Sequence, residues 1–236
     1  MVRPVFSVKA NVRNLDRRIR QELGSDLPFA VAKSMTQAMG DAKENIGKNI
    51  LRKYHRPTRW TQNSTFLKPA TKRDLSAMVF FKDRVSRGVP AGRFLKPTVR
   101  GTARPHKGFE KKFIRAGIMR AGEYAVPAKG VKLNQYGNMS PALIKKLGKG
   151  LEAPQRGGHK IRFFTPDDGA HLPRGIYEAR GRWPKRKLKP IMIFVTDKPN
   201  YRRLLPFKKI AGKTFAARFP IRFNRNVRQI LGRRNR

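Results

Sequence analysis

The sequence predicts an α+β fold: a long N-terminal helix and a β-hairpin packed on a small antiparallel sheet, with long basic Pro/Gly-rich arms and a basic helical C-terminal tail. Three observations carry that expectation. An apolar stripe at helical spacing runs through residues 27–52, and strand-like segments flank a long Pro/Gly-rich stretch. After Asp197, apolar residues recur at helical spacing and every charged residue is a cation. The expected organisation is one body, residues 1–197, with an extended arm at about 84–107, followed by a basic tail, residues 198–236.

Val5 to Val12 alternates loosely, as a short strand does, and Asn14 is placed to cap a helix from Leu15 to Leu23 that Gly24 ends. Ser25 or Asp26 then caps the principal helix, whose Pro28 sits in the first turn, where a missing N–H costs nothing. Ala32, Met35, Met39, Ala42, Ile46 and Ile50 fall on one face of it, and that face needs a covering surface. Tyr54 to Asn63, with Pro57 inside, reads as a loop. A hairpin follows, Thr65 to Ala70 and Ser76 to Lys82, turning at Thr71 to Asp74.

Residues 84–107 hold Gly88, Pro90, Gly92, Pro97, Gly101 and Pro105 among cations, which predicts an irregular arm. Phe109 to Arg115 is a short helix stopped by Gly117, and Ser140 with Pro141 opens another through Leu147. Strands are expected at Lys160 to Phe164, Gly175 to Ala179 and Pro190 to Thr196. Ile191 to Val195 is apolar throughout and belongs inside its sheet. Beyond Asp197, Phe207, Ile210, Ala211, Phe215, Phe219, Val227, Ile230 and Leu231 predict one or two amphipathic helices interrupted near Pro220.

Charge dominates the functional reading. Fifty-six Lys and Arg face 14 Asp and Glu, a formal charge of +42, so most cations have no acidic partner within the chain. They repel one another or meet an external anion, and release of DNA counterions makes nucleic acid a favourable one. The tail holds 13 cations in 39 residues and no carboxylate. In Arg180 to Lys189, six of ten residues are cationic. The candidate polyanion-binding residues are therefore Arg180, Arg182, Lys185, Arg186, Lys187 and Lys189, with Trp183 as a stacking platform, and in the tail Arg202, Arg203, Lys208, Lys209, Lys213, Arg218, Arg222, Arg225, Arg228, Arg233, Arg234 and Arg236. No sequence-reading DNA motif accompanies them, which points to phosphate contact without base readout.

Catalytic, cofactor and metal sites are not expected. The chain has no cysteine, which removes thiolate metal sites and cysteine nucleophiles. His55, His106, His159 and His171 are scattered without ligand spacing. Asp167 and Asp168 precede Gly169 in a pattern typical of a turn, whereas divalent phosphoryl chemistry wants several converging carboxylates. Arg156-Gly157-Gly158-His159 lacks the spacing of a phosphate loop, so no small-molecule substrate is expected. Met1 to Ala10 lacks the apolar core of a secretory signal, and no run reaches the ~18–20 apolar residues of a membrane helix. The expectation is a protein that acts in a cytoplasm-like compartment or inside a particle, with no membrane partner.

Several strings carry a family resemblance. Lys68-Pro69-Ala70-Thr71-Lys72, with Leu75, Ala77, Val79 and Phe81-Lys82-Asp83, is similar to a segment of tailed-bacteriophage structural proteins. Gly88-Val89-Pro90-Ala91, Phe94-Leu95-Lys96-Pro97, Phe109-Glu110, Val126-Pro127, Asn134 to Ser140 and His171-Leu172-Pro173-Arg174-Gly175-Ile176-Tyr177 extend it over about residues 25 to 205. The chain thus resembles the minor tail, or tail-completion, proteins of the head–tail junction. That resemblance implies a non-enzymatic virion component, assembled in the host cytoplasm as a homo-oligomer against portal, connector or tail subunits and the terminal DNA. The tail after Asp197 carries none of the resemblance, so its DNA role rests on charge. The alternative is a stand-alone, sequence-nonspecific nucleic-acid-binding protein.

Overall fold

The computed structural model describes residues 7–11, 24–83, 88–152, 163–167, 169–181 and 187–234. It is mixed helix and antiparallel sheet, as expected, but its strands divide between two sheets in two compact units. One unit comprises the chain up to Thr102 together with everything from Tyr201 onward; the other is Ala103–Asn200. The expected helix at Leu15 to Leu23 lies outside the described residues.

The first unit begins with strand β1 (Ser7–Asn11) and, after a single 3-10 turn at Gly24–Asp26, helix α1 (Leu27–Lys53). Its predicted apolar stripe, Ala32 to Ile50, is buried, and Ala30 and Val31 are buried before it. The segment expected as a loop contains a one-turn helix, α2 (Arg59–Gln62), because the Thr58 hydroxyl accepts a bond from Thr61 N–H at 3.1 Å and so caps it. Strands β2 (Thr65–Lys68) and β3 (Ser76–Phe81) form the hairpin, and β1 adds to the other edge of β3.

Helix α3 (Ala91–Arg100) corrects the irregular-arm expectation for residues 84–107. Its two apparent breakers have specific places. A methyl group on Gly92 would collide with the Asp83 carboxylate, which would have to move aside, so glycine accommodates that close approach. Gly101, at φ 72°, ends the helix in the left-handed region, and its N–H and that of Thr102 both bond the Pro97 carbonyl, at 2.7 and 3.1 Å. Burial of Leu95, Thr98 and Val99 then holds a ten-residue helix around Pro97.

The last helix, α6 (Phe207–Arg234), is continuous through Pro220 and is no detached tail. It lies antiparallel to α1 over almost the whole length of both. The polar partners establish the direction: Lys33 with Gln229, Ser34 and Gln37 with Asn226, Asp41 with Arg222, and Asn45 with Thr214. Phe207, Ala211, Phe223 and Asn226 are buried, with Phe215, Phe219, Val227 and Ile230 beside them, a seam that returns every three or four residues. Those contacts on both sides of Pro220 outweigh one lost backbone bond. Phe207 also meets Phe81 of β3, ring centroids 4.7 Å apart, tying the helix pair to the sheet.

The second unit contains α4 (Gly108–Arg115), β4 (Tyr124–Pro127), α5 (Pro141–Glu152), β5 (Phe163–Phe164), β6 (Gly175–Arg180) and β7 (Lys187–Val195). Strand β4 was not foreseen from the sequence. The sheet order is β4-β7-β6-β5, so Ile191 to Val195 sits inside the sheet as predicted. A bulge between Ile176 and Tyr177 brings the Met192 carbonyl against Gly175, leaving no room for a side chain there. Phe113, Leu147, Phe163, Ile176, Met192 and Phe194 form the core.

This unit is pinned by one buried ion pair. Arg104 Nη1 and Nη2 donate to Glu110 Oε2 and Oε1 at 2.7 and 2.6 Å, and the Ala125 N–H adds a third bond at 3.0 Å. Burial by itself raises the Glu110 carboxyl, but the bonds from Arg104 and from the Lys107 and Ala125 amides, with the guanidinium charge, hold it below its ordinary 4.5.

Two outcomes follow for stability. Phe207→Ala should cost about 3–5 kcal/mol in urea unfolding, the loss typical of a buried aromatic and far more than removal of a detached tail residue. Because its folded-state pKa is depressed, Glu110 stabilises the unit above pH 4.5 and loses that contribution as pH falls through the folded value. Glu110→Gln should therefore lower the melting temperature at neutral pH and flatten its fall on acidification.

Candidate polyanion interface

Helix α6 presents the largest share of the predicted cations. Its inner face is committed to α1, so Lys208, Lys209, Lys213, Arg218, Arg225, Arg228 and Arg233 emerge exposed. The helix has no carboxylate of its own to neutralise them. At 1.5 Å per residue they are spread along about 40 Å of rigid backbone. Arg202 and Arg203, just before the helix, are also exposed. Ile221 stands among them at 58% exposure.

Arg222 departs from this pattern. It turns inward, and its Nη2 and Nε donate to Asp41 Oδ1 and Oδ2 at 2.8 and 3.1 Å. The Asp41 bonds and charge raise its pKa further, and this guanidinium, 33% exposed, links α1 to α6 with its charge already paired. The Arg234 side chain and Arg236 lie outside the described residues.

In the second unit the β6–β7 hairpin carries a smaller basic group. Arg180 pairs with Lys187 and Glu178 with Lys189 across the strands. Arg180 Nε donates to Glu178 Oε2 at 2.8 Å, while its guanidinium remains 59% exposed. One nearly buried carboxylate thus faces three cations on the same side of the hairpin. Arg182, Trp183, Lys185 and Arg186 lie outside the described residues.

Two basic features of the first unit lie outside the candidate polyanion-binding residues, although the sequence already marks residues 84–107 as a cationic arm. Arg93, Lys96 and Arg100 are exposed on α3, at spacings of three and four residues that the Pro/Gly content concealed. Phe29 is 41% exposed, with Lys33 Nζ and Lys72 Nζ at 6.0 and 5.5 Å from its ring centroid.

The described residues hold no candidate metal cluster: no group of three or more His, Asp or Glu converges on a point among them. His106 stacks on Tyr124 at 4.5 Å with Nε2 2.9 Å from the Glu123 carbonyl, while His55 and His171 are exposed. His159 and Asp168 lie outside the described residues. Asp167 is exposed beside Gly169, whose φ is 87°, and the Ala170 N–H bonds the Asp167 carbonyl, as in a turn. No described helix is long and apolar enough to cross a membrane. No protein-family model matches the chain, and neither a curated protein nor a solved structure matches it.

The geometry separates inward from outward cations. Arg222→Ala should lower thermal stability with little change in DNA affinity. Replacing Lys208, Lys209 and Lys213 together by Gln should do the reverse, leaving the melting temperature nearly unchanged and weakening binding in a fluorescence-anisotropy titration.

Proposed function

We propose that this chain is a non-enzymatic structural component of a tailed-bacteriophage virion, placed at the head–tail junction or tail. There it docks to neighbouring virion subunits as a homo-oligomer, and its basic surface contacts DNA phosphates. The observation that carries the polyanion contact is the outer face of α6, seven exposed cations on a 28-residue helix without one acid. The virion placement is supported by the resemblance of the strings between about residues 25 and 205 to tail-completion proteins.

A fixed row of cations suits a uniform row of phosphates. Each phosphate neutralised releases condensed counterions, so affinity should fall steeply with salt and depend little on sequence. Hydrogen bonds from lysine and arginine to phosphate position a protein without reading bases. The exposed α6 side chains do not require a base edge, only a polyanion within reach.

The salt dependence of DNA binding tests the contact. Log affinity should fall linearly with log salt, and the Lys208/Lys209/Lys213→Gln variant should shallow the slope by about three, roughly one per lost phosphate contact. A slope near zero would remove DNA from the proposal. Quantitative mass spectrometry of purified particles tests the placement: a fixed copy number expresses a virion component, whereas recovery only with bulk nucleic acid in cell extracts favours the stand-alone binding protein.

A further inference from the structure

In the first unit, the first three turns of α1 and the turn joining β2 to β3 line an open cleft of about 360 Å³. Phe29, Ala32, Pro69 and Ala70 give it apolar walls, and Lys33 and Lys72 stand at its rim. We propose that this cleft is a docking site for an acidic peptide segment of a partner protein, which inserts one apolar side chain against Phe29 and sets its carboxylates on the two lysines.

The lining decides between a peptide and a nucleic acid. The three uncharged polar side chains of the lining are already engaged: Thr36 Oγ1 accepts the Ala70 N–H at 3.0 Å, Gln37 Oε1 accepts from Asn226 Nδ2 at 3.0 Å, and Thr71 Oγ1 accepts the Asp74 N–H at 2.9 Å. A base lodged here would lose hydration from its polar edge and find few groups to replace it, a cost an aliphatic or aromatic side chain does not meet. The cleft volume admits such a side chain with room around it.

The rim decides the charge of the occupant. Lys33 and Lys72 lie over the Phe29 ring, an exposed cation–π arrangement that contributes little in water. Carboxylates of an incoming segment offer both ammoniums a stronger partner and uncover the ring for apolar contact. The nearest carboxylate on the turn, Asp74, is held by Lys68 at 3.6 Å and by the Ser76 hydroxyl. A second copy of the chain, at +42, would bring like charge to this rim. An acidic partner is the complementary one.

This inference does not rest on the phosphate reading of α6, and its test keeps the two apart. The probe is a fluorescein-labelled Asp-Glu-Asp-Phe-Leu-Asp-Glu peptide, compared by anisotropy with the same peptide carrying Ser-Ser for Phe-Leu, at about 0.15 M salt, where long-range attraction is screened. The Phe-Leu peptide should bind at least about tenfold more tightly, a difference of roughly 1.4 kcal/mol. Phe29→Ala, at an exposed position, should abolish that difference and leave DNA affinity intact. Lys72→Glu should weaken both peptides, and the Lys208/Lys209/Lys213→Gln variant should retain the preference for Phe-Leu. Equal binding of the two peptides, or a preference that survives Phe29→Ala, overturns the proposal. So does a Phe29→Ala variant that loses DNA binding, which would assign the cleft to nucleic acid.

Discussion

The antiparallel seam between α1 and α6 is the constraint on which the first unit depends. A stripe of Ala, Met and Ile on α1 cannot face water, and the hairpin sheet covers only part of it. Helix α6 supplies the remainder with Phe207, Ala211 and Phe223. Polar pairs reinforce the register that the apolar contacts allow. Asn226 reaches Ser34 and Gln37, and Arg222 reaches Asp41, so a slip of one turn would leave buried polar groups without partners.

Fixing that register also fixes where the charge goes. Once the α6 positions facing α1 are occupied by apolar groups, Asn226 and Arg222, its other cations have only the outward side. The carboxylates follow a matching rule. Glu110, Glu123 and Glu178 are nearly buried and bind Arg104, Arg174 and Arg180. Glu110 and Glu123 thus satisfy guanidinium groups largely within the fold, whereas Glu178 pairs with one that stays exposed. A buried ion pair of this kind is costly to break, whatever its net contribution to stability, which is why truncating one partner is informative.

The parts of this architecture legible in the sequence are those where one period dominates. The Ala32 to Ile50 stripe, the Thr65 to Lys82 hairpin and the apolar run Ile191 to Val195 each state their own geometry. Helix α3 was hidden because Gly92 and Pro97 are breakers by propensity, and the burial of Ala91, Leu95 and Val99 overrides that propensity. Pro220 misled in the same way. Composition alone cannot tell Arg222 from Arg225, since what distinguishes them is Asp41, 181 residues away in sequence. Likewise Phe29 reads as one more apolar residue of α1 until the β2–β3 turn places Lys72 over its ring. The basic character of the surface was thus readable, but its division into structural and open cations was not.

That the cations sit on a packed helix instead of a loose tail changes the energetics expected of any anion contact. A disordered basic segment gives up conformational freedom when it binds, at about 1–2 kcal/mol of backbone entropy per ordered residue. The α6 backbone has already lost that freedom on folding, through the contacts of Phe207, Phe215 and Phe223 with its surroundings. Only the exposed lysine and arginine side chains remain to be ordered, and their stems can stay mobile against a phosphate array that demands no single geometry. The folded seam therefore bears an entropic cost that a flexible tail would incur at each encounter, and the strength of anion binding becomes coupled to the stability of the α1–α6 pair itself.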